Sequence, residues 1–193
     1  MPFNLPIFLT WLRIVLIPLV VGVFYLPSNW LTGYEQDLVA TTIFVVAALT
    51  DWLDGWLARR LDQTSRFGAF LDPVADKLMV TAALLVLLEL HRINAAIALI
   101  IVGREITISA LREWMAQIGA SKSIAVNSLG KLKTILQMVA IPMLLYDHFF
   151  LVVDSGWLGT RLLYLAAVLT VWSMLYYMKL AWPQIRDNSE GKP

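Results

Sequence analysis

The chain has 193 residues, is 59% hydrophobic and only 15% charged, carries a net charge of +1 and contains no cysteine. A soluble domain is about 45–50% apolar and about 25% charged, so one small core cannot hide this much apolar surface, and an ordinary soluble globular domain is excluded. The near-zero charge gives no electrostatic case for nucleic acid, and the lack of cysteine excludes disulfides, thiolate zinc sites and cysteine nucleophiles.

A membrane-spanning helix needs about 20 mostly apolar residues. Six such stretches follow one another, at residues 8–26, 37–58, 68–90, 94–116, 130–151 and 158–181. The breaks between them are short, so neighbours should form antiparallel hairpins. The expected fold is all-α: a polytopic membrane protein with six transmembrane helices in a single domain over residues 1–193. No basic segment precedes the first apolar stretch and no small-residue cleavage site follows it, so the N-terminus reads as retained. Residues 2–8, bounded by Pro2 and Pro6, are an alternative segment lying along the interface. The polar run Asp187 to Pro193 reads as a solvated end.

Loop cations set the orientation. With the N-terminus inside, the inner loops and tail hold Arg59, Arg60, Arg66, Lys122, Lys131, Lys133, Lys179, Arg186 and Lys192, against Arg92 and Arg161 outside. Both termini are therefore expected in the cytoplasm, in a bacterial-type inner membrane. The eight tryptophans fall mostly near helix ends, as an interfacial belt does. His91 and His148 fall at outer ends, away from the chemistry described next.

The second and third stretches contain Asp51, Asp54, Asp72 and Asp76. A charged carboxylate deep in such a helix costs roughly 2.5–3.5 kcal/mol on insertion scales, so something must offset it. At 100° per residue Asp51 and Asp54 lie roughly 60° apart, and Asp72 and Asp76 about 40° apart, so each pair shares a face. Four converging carboxylates repel one another or take up protons unless a cation of charge two or more sits among them. Oxygen-only ligation favours Mg²⁺ or Mn²⁺ over Zn²⁺, and four acids suffice for two ions about 3.5–4 Å apart. Gly55, Ala58 and Gly68 share these faces and leave room for a bulky group; close helix packing is the ordinary use of such residues. Lys77, next to Asp76, suits either phosphate contact or snorkelling to the interface.

Further cations lie inside apolar stretches: Arg13 in the first, Arg104 and Arg112 in the fourth, Lys131 and Lys133 at the start of the fifth. Guanidinium groups suit bidentate phosphate binding. Extra positive charge of this kind suits a ligand bearing a phosphate. The competing reading pairs Arg104 with Glu105 or Glu113, and Arg112 with Glu105, as internal salt bridges.

The run Asp51 to Arg59, followed by Gly68, Asp72 and Asp76, fills every fixed position of D-x2-D-G-x2-A-R-x8-G-x3-D-x3-D, eight specified residues over 26 positions. On this signature the chain resembles the CDP-alcohol phosphotransferase family. The resemblance implies a six-helix membrane fold, a homodimer, and an active site open to the cytoplasm that moves a phosphatidyl or related group from a CDP-linked donor to an alcohol, releasing CMP. It implies that Asp51, Asp54, Asp72 and Asp76 bind two divalent cations, that Asp76 is also the general base, and that Gly55, Ala58, Arg59 and Gly68 line the CDP site. Asn4-Leu5-Pro6 with Thr10 and Arg13, the block Gly103 to Trp114, and Gly130 to Thr134 resemble the members that join CDP-diacylglycerol to sn-glycerol 3-phosphate. That likeness makes Arg104, Arg112 and Lys131 candidates for the acceptor phosphate, and Thr10 and Arg13 candidates for the nucleotide side. Inositol phosphate or phosphatidylglycerol as acceptor, and a cation pathway through a transporter, are the alternatives.

Overall fold

The computed structural model describes residues 5–60, 66–117, 128–150 and 153–189, with the side chains of Asp54, Ala58, Arg59 and Lys131 and the surroundings of Gly55 outside that description. Six helices follow in chain order: α1 (Leu5–Gly22), α2 (Gly33–Arg60), α3 (Arg66–Glu89), α4 (Ala95–Gln117), α5 (Ser128–Tyr146) and α6 (Ser155–Ser189). A 3-10 turn at Val23–Tyr25 follows α1, and two-residue strands β1 (Phe149–Phe150) and β2 (Val153–Asp154) form an antiparallel hairpin before α6. The all-α expectation and the six-element order hold, with this hairpin as an addition.

Helix ends follow local chemistry. The Thr32 N–H and hydroxyl donate to Glu35 Oε2 at 2.8 and 2.9 Å, and the Glu35 N–H lies 3.4 Å from Thr32 Oγ1, a reciprocal capping box at the start of α2. Asn94 Oδ1 accepts the Ile97 N–H at 3.0 Å ahead of α4, and Asp154 Oδ1 accepts the Trp157 N–H at 3.0 Å ahead of α6. Several boundaries differ from the sequence expectation. The helix α1 is continuous from Leu5, so residues 5–8 belong to it rather than to a separate interfacial segment; a proline at position 6 sits in the first turn, where its missing N–H is harmless. The fifth stretch stops at Tyr146, because Asp147 adopts a left-handed φ of 46° and the chain turns into the hairpin. The sixth helix runs to Ser189, well into the polar end.

Packing is pairwise: α1 lies on α2 and α3, α5 on α6 and α2, and α4 on α6 and α3. The core runs through Phe44, Met79, Leu84, Leu87, Ile101, Ile141, Leu144 and Leu163. Fully buried Ala40, Ala83, Ala140 and Ala166 let helices approach closely. A Cβ on Gly159 would meet Leu144, the Ala140 carbonyl and Met143 at 3.0–3.1 Å, so α5 and α6 touch there backbone to backbone.

The outer surface is apolar. Leu19 on α1, Leu49 on α2, Leu85 on α3, Leu99 on α4, Ile135 on α5 and Val168 on α6 are each half or more exposed. A water-soluble monomer rarely shows such a surface on every helix, and a membrane protein requires it. Among the described residues, α1 with its 3-10 turn (Phe8–Tyr25) and α6 (Ser155–Tyr176) contain windows long and apolar enough to cross a bilayer by themselves. Trp11, Trp30, Trp157, Trp172 and Trp182 are exposed, as an interfacial belt needs.

Arg92 organises the end of the bundle where α3, α5 and the hairpin meet. It donates to Asp37 Oδ1 and Oδ2 at 2.8 and 2.7 Å, to the Leu144 and Leu145 carbonyls at 3.1 and 2.6 Å, and pairs with Asp147 at 3.1 Å. A cation on the last carbonyls of α5 complements the negative end of that helix. His148 Nε2 lies 3.1 Å from Asp37 Oδ2, and its backbone exchanges two hydrogen bonds with the Ser155 side chain. Both histidines therefore lie at the end expected from the sequence.

Candidate active site

Two of the acids are held by α1 lying across α2 and α3. Arg13, fully buried on α1, pairs with Asp51 on α2 at 2.5 Å. One turn earlier the Thr10 hydroxyl donates to Asp72 Oδ1 on α3 at 2.8 Å. Thr10 and Arg13, assigned from the sequence to the nucleotide side, thus touch two of the proposed metal acids directly. Gly68 is buried in the first turn of α3. Asp54, Gly55, Ala58 and Arg59 lie outside the described side chains, while α2 stays helical through Arg60 and keeps the register on which the pairing of Asp51 with Asp54 was argued.

Asp76 lies one turn beyond Asp72, past Pro73, which cannot donate the helical hydrogen bond of a normal residue. The charges around it are Asp51, Arg13, Glu105 and Lys77. Its Oδ1 is buried with no hydrogen-bond partner among the described residues. An acceptor-only oxygen in that state fits a hard cation, as does a donor set made of carboxylates alone. Among the described residues no three acids or histidines gather tightly enough to hold an ion by themselves, consistent with Asp51 and Asp72 being turned toward α1.

A second cluster faces Asp76 from α4 and α5. Glu105 Oε1 accepts from Arg104 Nη1 and from Lys133 Nζ, each at 2.7 Å. Arg104 and Lys133 are both buried. The internal pairing of Arg104 with Glu105 weighed from the sequence is therefore present, and that of Arg112 with Glu105 is not. Arg112 is exposed and makes no ion pair among the described residues. Lys131 lies outside the described side chains; Lys133, two residues on, is the lysine that reaches the cluster. A cavity of about 50 Å³ joins the two groups, lined by Asp76, Thr81, Glu105, Thr134 and Gln137 among others. A larger hollow of about 770 Å³, lined by His91, Arg92, Asp154, Trp157 and Arg161 among others, opens at the opposite end. Leu90 on its wall is fourteen residues along from Asp76, about 20 Å of helix rise, so the chemistry does not belong there.

Comparison with known sequences agrees with this geometry. The CDP-alcohol phosphatidyltransferase family matches residues 3–172. The chain belongs to that family. Within it, the CDP-diacylglycerol–glycerol-3-phosphate 3-phosphatidyltransferase of Haemophilus influenzae is 49% identical over 192 residues, covering 97% of this chain and 98% of the relative. The protein of the same name from Escherichia coli strain K12 is 48% identical over 191 residues, covering 97% and 100%. The matched region includes the acid signature, carried here on α2 and α3 beneath α1.

Proposed function

We propose that this protein transfers the phosphatidyl group of CDP-diacylglycerol to sn-glycerol 3-phosphate, giving phosphatidylglycerophosphate and CMP. The observation that carries the reading is the cavity that Asp76 shares with Glu105, the carboxylate to which Arg104 and Lys133 are paired, in a chain similar over nearly its whole length to enzymes named for that reaction. Asp51, Asp54, Asp72 and Asp76 would hold two divalent cations, Mg²⁺ or Mn²⁺. Bound there, such ions neutralise the donor's pyrophosphate and stabilise the leaving phosphate. Gly55, Ala58, Arg59 and Gly68 line the CDP group, and Thr10 and Arg13 hold Asp72 and Asp51 in place beside it. Arg112, Arg104 and Lys133, with Lys131 as a further candidate, take the acceptor's phosphate. Asp76 accepts the proton of the primary hydroxyl as that oxygen bonds to the phosphorus bearing diacylglycerol; the bond from that phosphorus to the bridging oxygen breaks, and CMP leaves with the electron pair.

The apolar outer face on all six helices and the loop-cation bias support six spans, both termini in the cytoplasm and a site open to the cytoplasmic face of a bacterial inner membrane. A homodimer is proposed from the family resemblance. The test is CMP release by the purified protein in liposomes containing CDP-diacylglycerol. Release is expected to require glycerol 3-phosphate, to disappear with EDTA and to return with Mg²⁺ or Mn²⁺, with phosphatidylglycerophosphate as the lipid product. Release driven instead by inositol phosphate or phosphatidylglycerol would reassign the acceptor. Cation flux without CMP release would replace the enzyme reading by a transporter.

A further inference from the structure

We propose that Glu105 is a positioning residue for the acceptor, holding Lys133 and Arg104 at the spacing a phosphate monoester needs. The inference rests on the acceptor reading above and adds a residue that reading does not use. Both cations meet the same carboxylate oxygen at 2.7 Å, so Lys133 Nζ and Arg104 Nη1 are no further apart than those two distances summed. Two buried cations that close repel strongly in a low-dielectric setting, and a shared carboxylate is what keeps them together. Lys133 is 3% exposed and Arg104 6% exposed, so neither has water to replace that partner.

Packing does not account for the bridge. Among the described residues α4 and α5 otherwise scarcely touch, and each is built mainly against α6 or α2 and α3 instead. Glu105, which holds Lys133, lines the same cavity as Asp76. It fixes a lysine on α5 and an arginine on α4 relative to the proposed base. Glu105 also sets the charge of the cation group. Arg104 and Lys133, with the charge of Arg112 near Lys133, against one carboxylate leave two positive charges, the complement of a phosphate monoester dianion. A neutral polyol supplies no such charge, and a phosphodiester supplies half of it.

The experiment compares Glu105→Ala, Glu105→Gln and Glu105→Asp with the parent enzyme in detergent, measuring kcat, the KM for glycerol 3-phosphate, the KM for CDP-diacylglycerol and the thermal midpoint. Glu105→Ala is expected to raise the glycerol 3-phosphate KM at least tenfold while leaving the donor KM within twofold. Glu105→Asp, which restores the charge one methylene shorter, is expected to recover most of that loss, and Glu105→Gln to recover less. If the alanine variant does not fold, the ordering of Asp over Gln carries the same test. An unchanged or lowered glycerol 3-phosphate KM would overturn the proposal, as would equal changes in both KM values, which mark a merely structural tether. Arg112→Ala separates this from the acceptor reading itself. If Arg112→Ala raises the glycerol 3-phosphate KM and the Glu105 variants do not, positioning alone fails; if CMP release never depends on glycerol 3-phosphate, the acceptor reading fails.

Discussion

Asp76 holds a buried carboxylate oxygen without a donor among the described residues, within reach of the charges of Asp51, Arg13, Glu105 and Lys77. Replacing it with Asn keeps the shape and removes both the anionic oxygen and the proton acceptor. Asp76→Asn is therefore expected to fold, to retain donor binding, and to lose turnover by about 10²–10⁴-fold, the usual scale of general-base catalysis. CMP release and the KM for CDP-diacylglycerol check this together, and near-parental turnover would remove Asp76 from the base role. The same scale shows where sequence reading ran out. At 100° per residue Lys131 and Lys133 lie on different faces of one helix, so at most one can face a given neighbour. Lys133, Gln137, Ala140, Ile141 and Leu144 form the buried stripe of α5, and that spacing was readable in advance. It selects Lys133. By contrast, the pairing of Thr10 and Arg13 with the acids had no local signal, because it joins residues far apart in the chain.

Among the elements, the end of α5 depends most on one distant side chain. Arg92 binds two carbonyls of α5, the carboxylate of Asp37 on α2 and that of Asp147 beyond α5. Truncating it leaves the buried Asp37 with His148 as its remaining ion-pair partner among the described residues. Arg92→Ala is expected to lower unfolding stability by about 3 kcal/mol, while the molecules that remain folded keep their turnover, because the network lies at the other end of the bundle. Unfolding in detergent beside specific activity per folded molecule measures both. Asp147 adds a pH dependence. Burial raises its pKa above the usual carboxylate value, with Arg92 pulling it partly back. A carboxylate with a raised folded pKa favours the fold below its unfolded pKa, and that contribution is lost as pH rises through the folded value. A Cβ on Gly156 would collide with the Asp147 carboxylate, so a larger residue there would have to displace that side chain from its place beside Arg92. The six apolar stretches anticipated six helices, but not that α5 stops five residues early in a hairpin. The turn is held by Ser155 binding the backbone of His148 across it, a contact no periodicity encodes.

For the molecule as a whole, the absence of cysteine makes sidedness directly measurable. Single cysteines at Leu132, beside the proposed acceptor pocket, and at Trp157, beside the opposite hollow, both replace exposed residues. In right-side-out vesicles a membrane-impermeant maleimide is expected to label the cysteine at position 157 and to reach the one at 132 only after the membrane is opened. The reverse pattern would invert the proposed topology. By itself, the sequence determined the membrane class, the six-helix order, the acid signature and the family, because composition, apolar length and residue spacing are local properties written along the chain. Only the tertiary structure decided what each charge faces. Arg13 and Thr10 hold two of the acids, Glu105 joins Arg104 to Lys133, and Arg92 closes the far end, because in an apolar interior every buried charge must find a partner and those partners come from other helices.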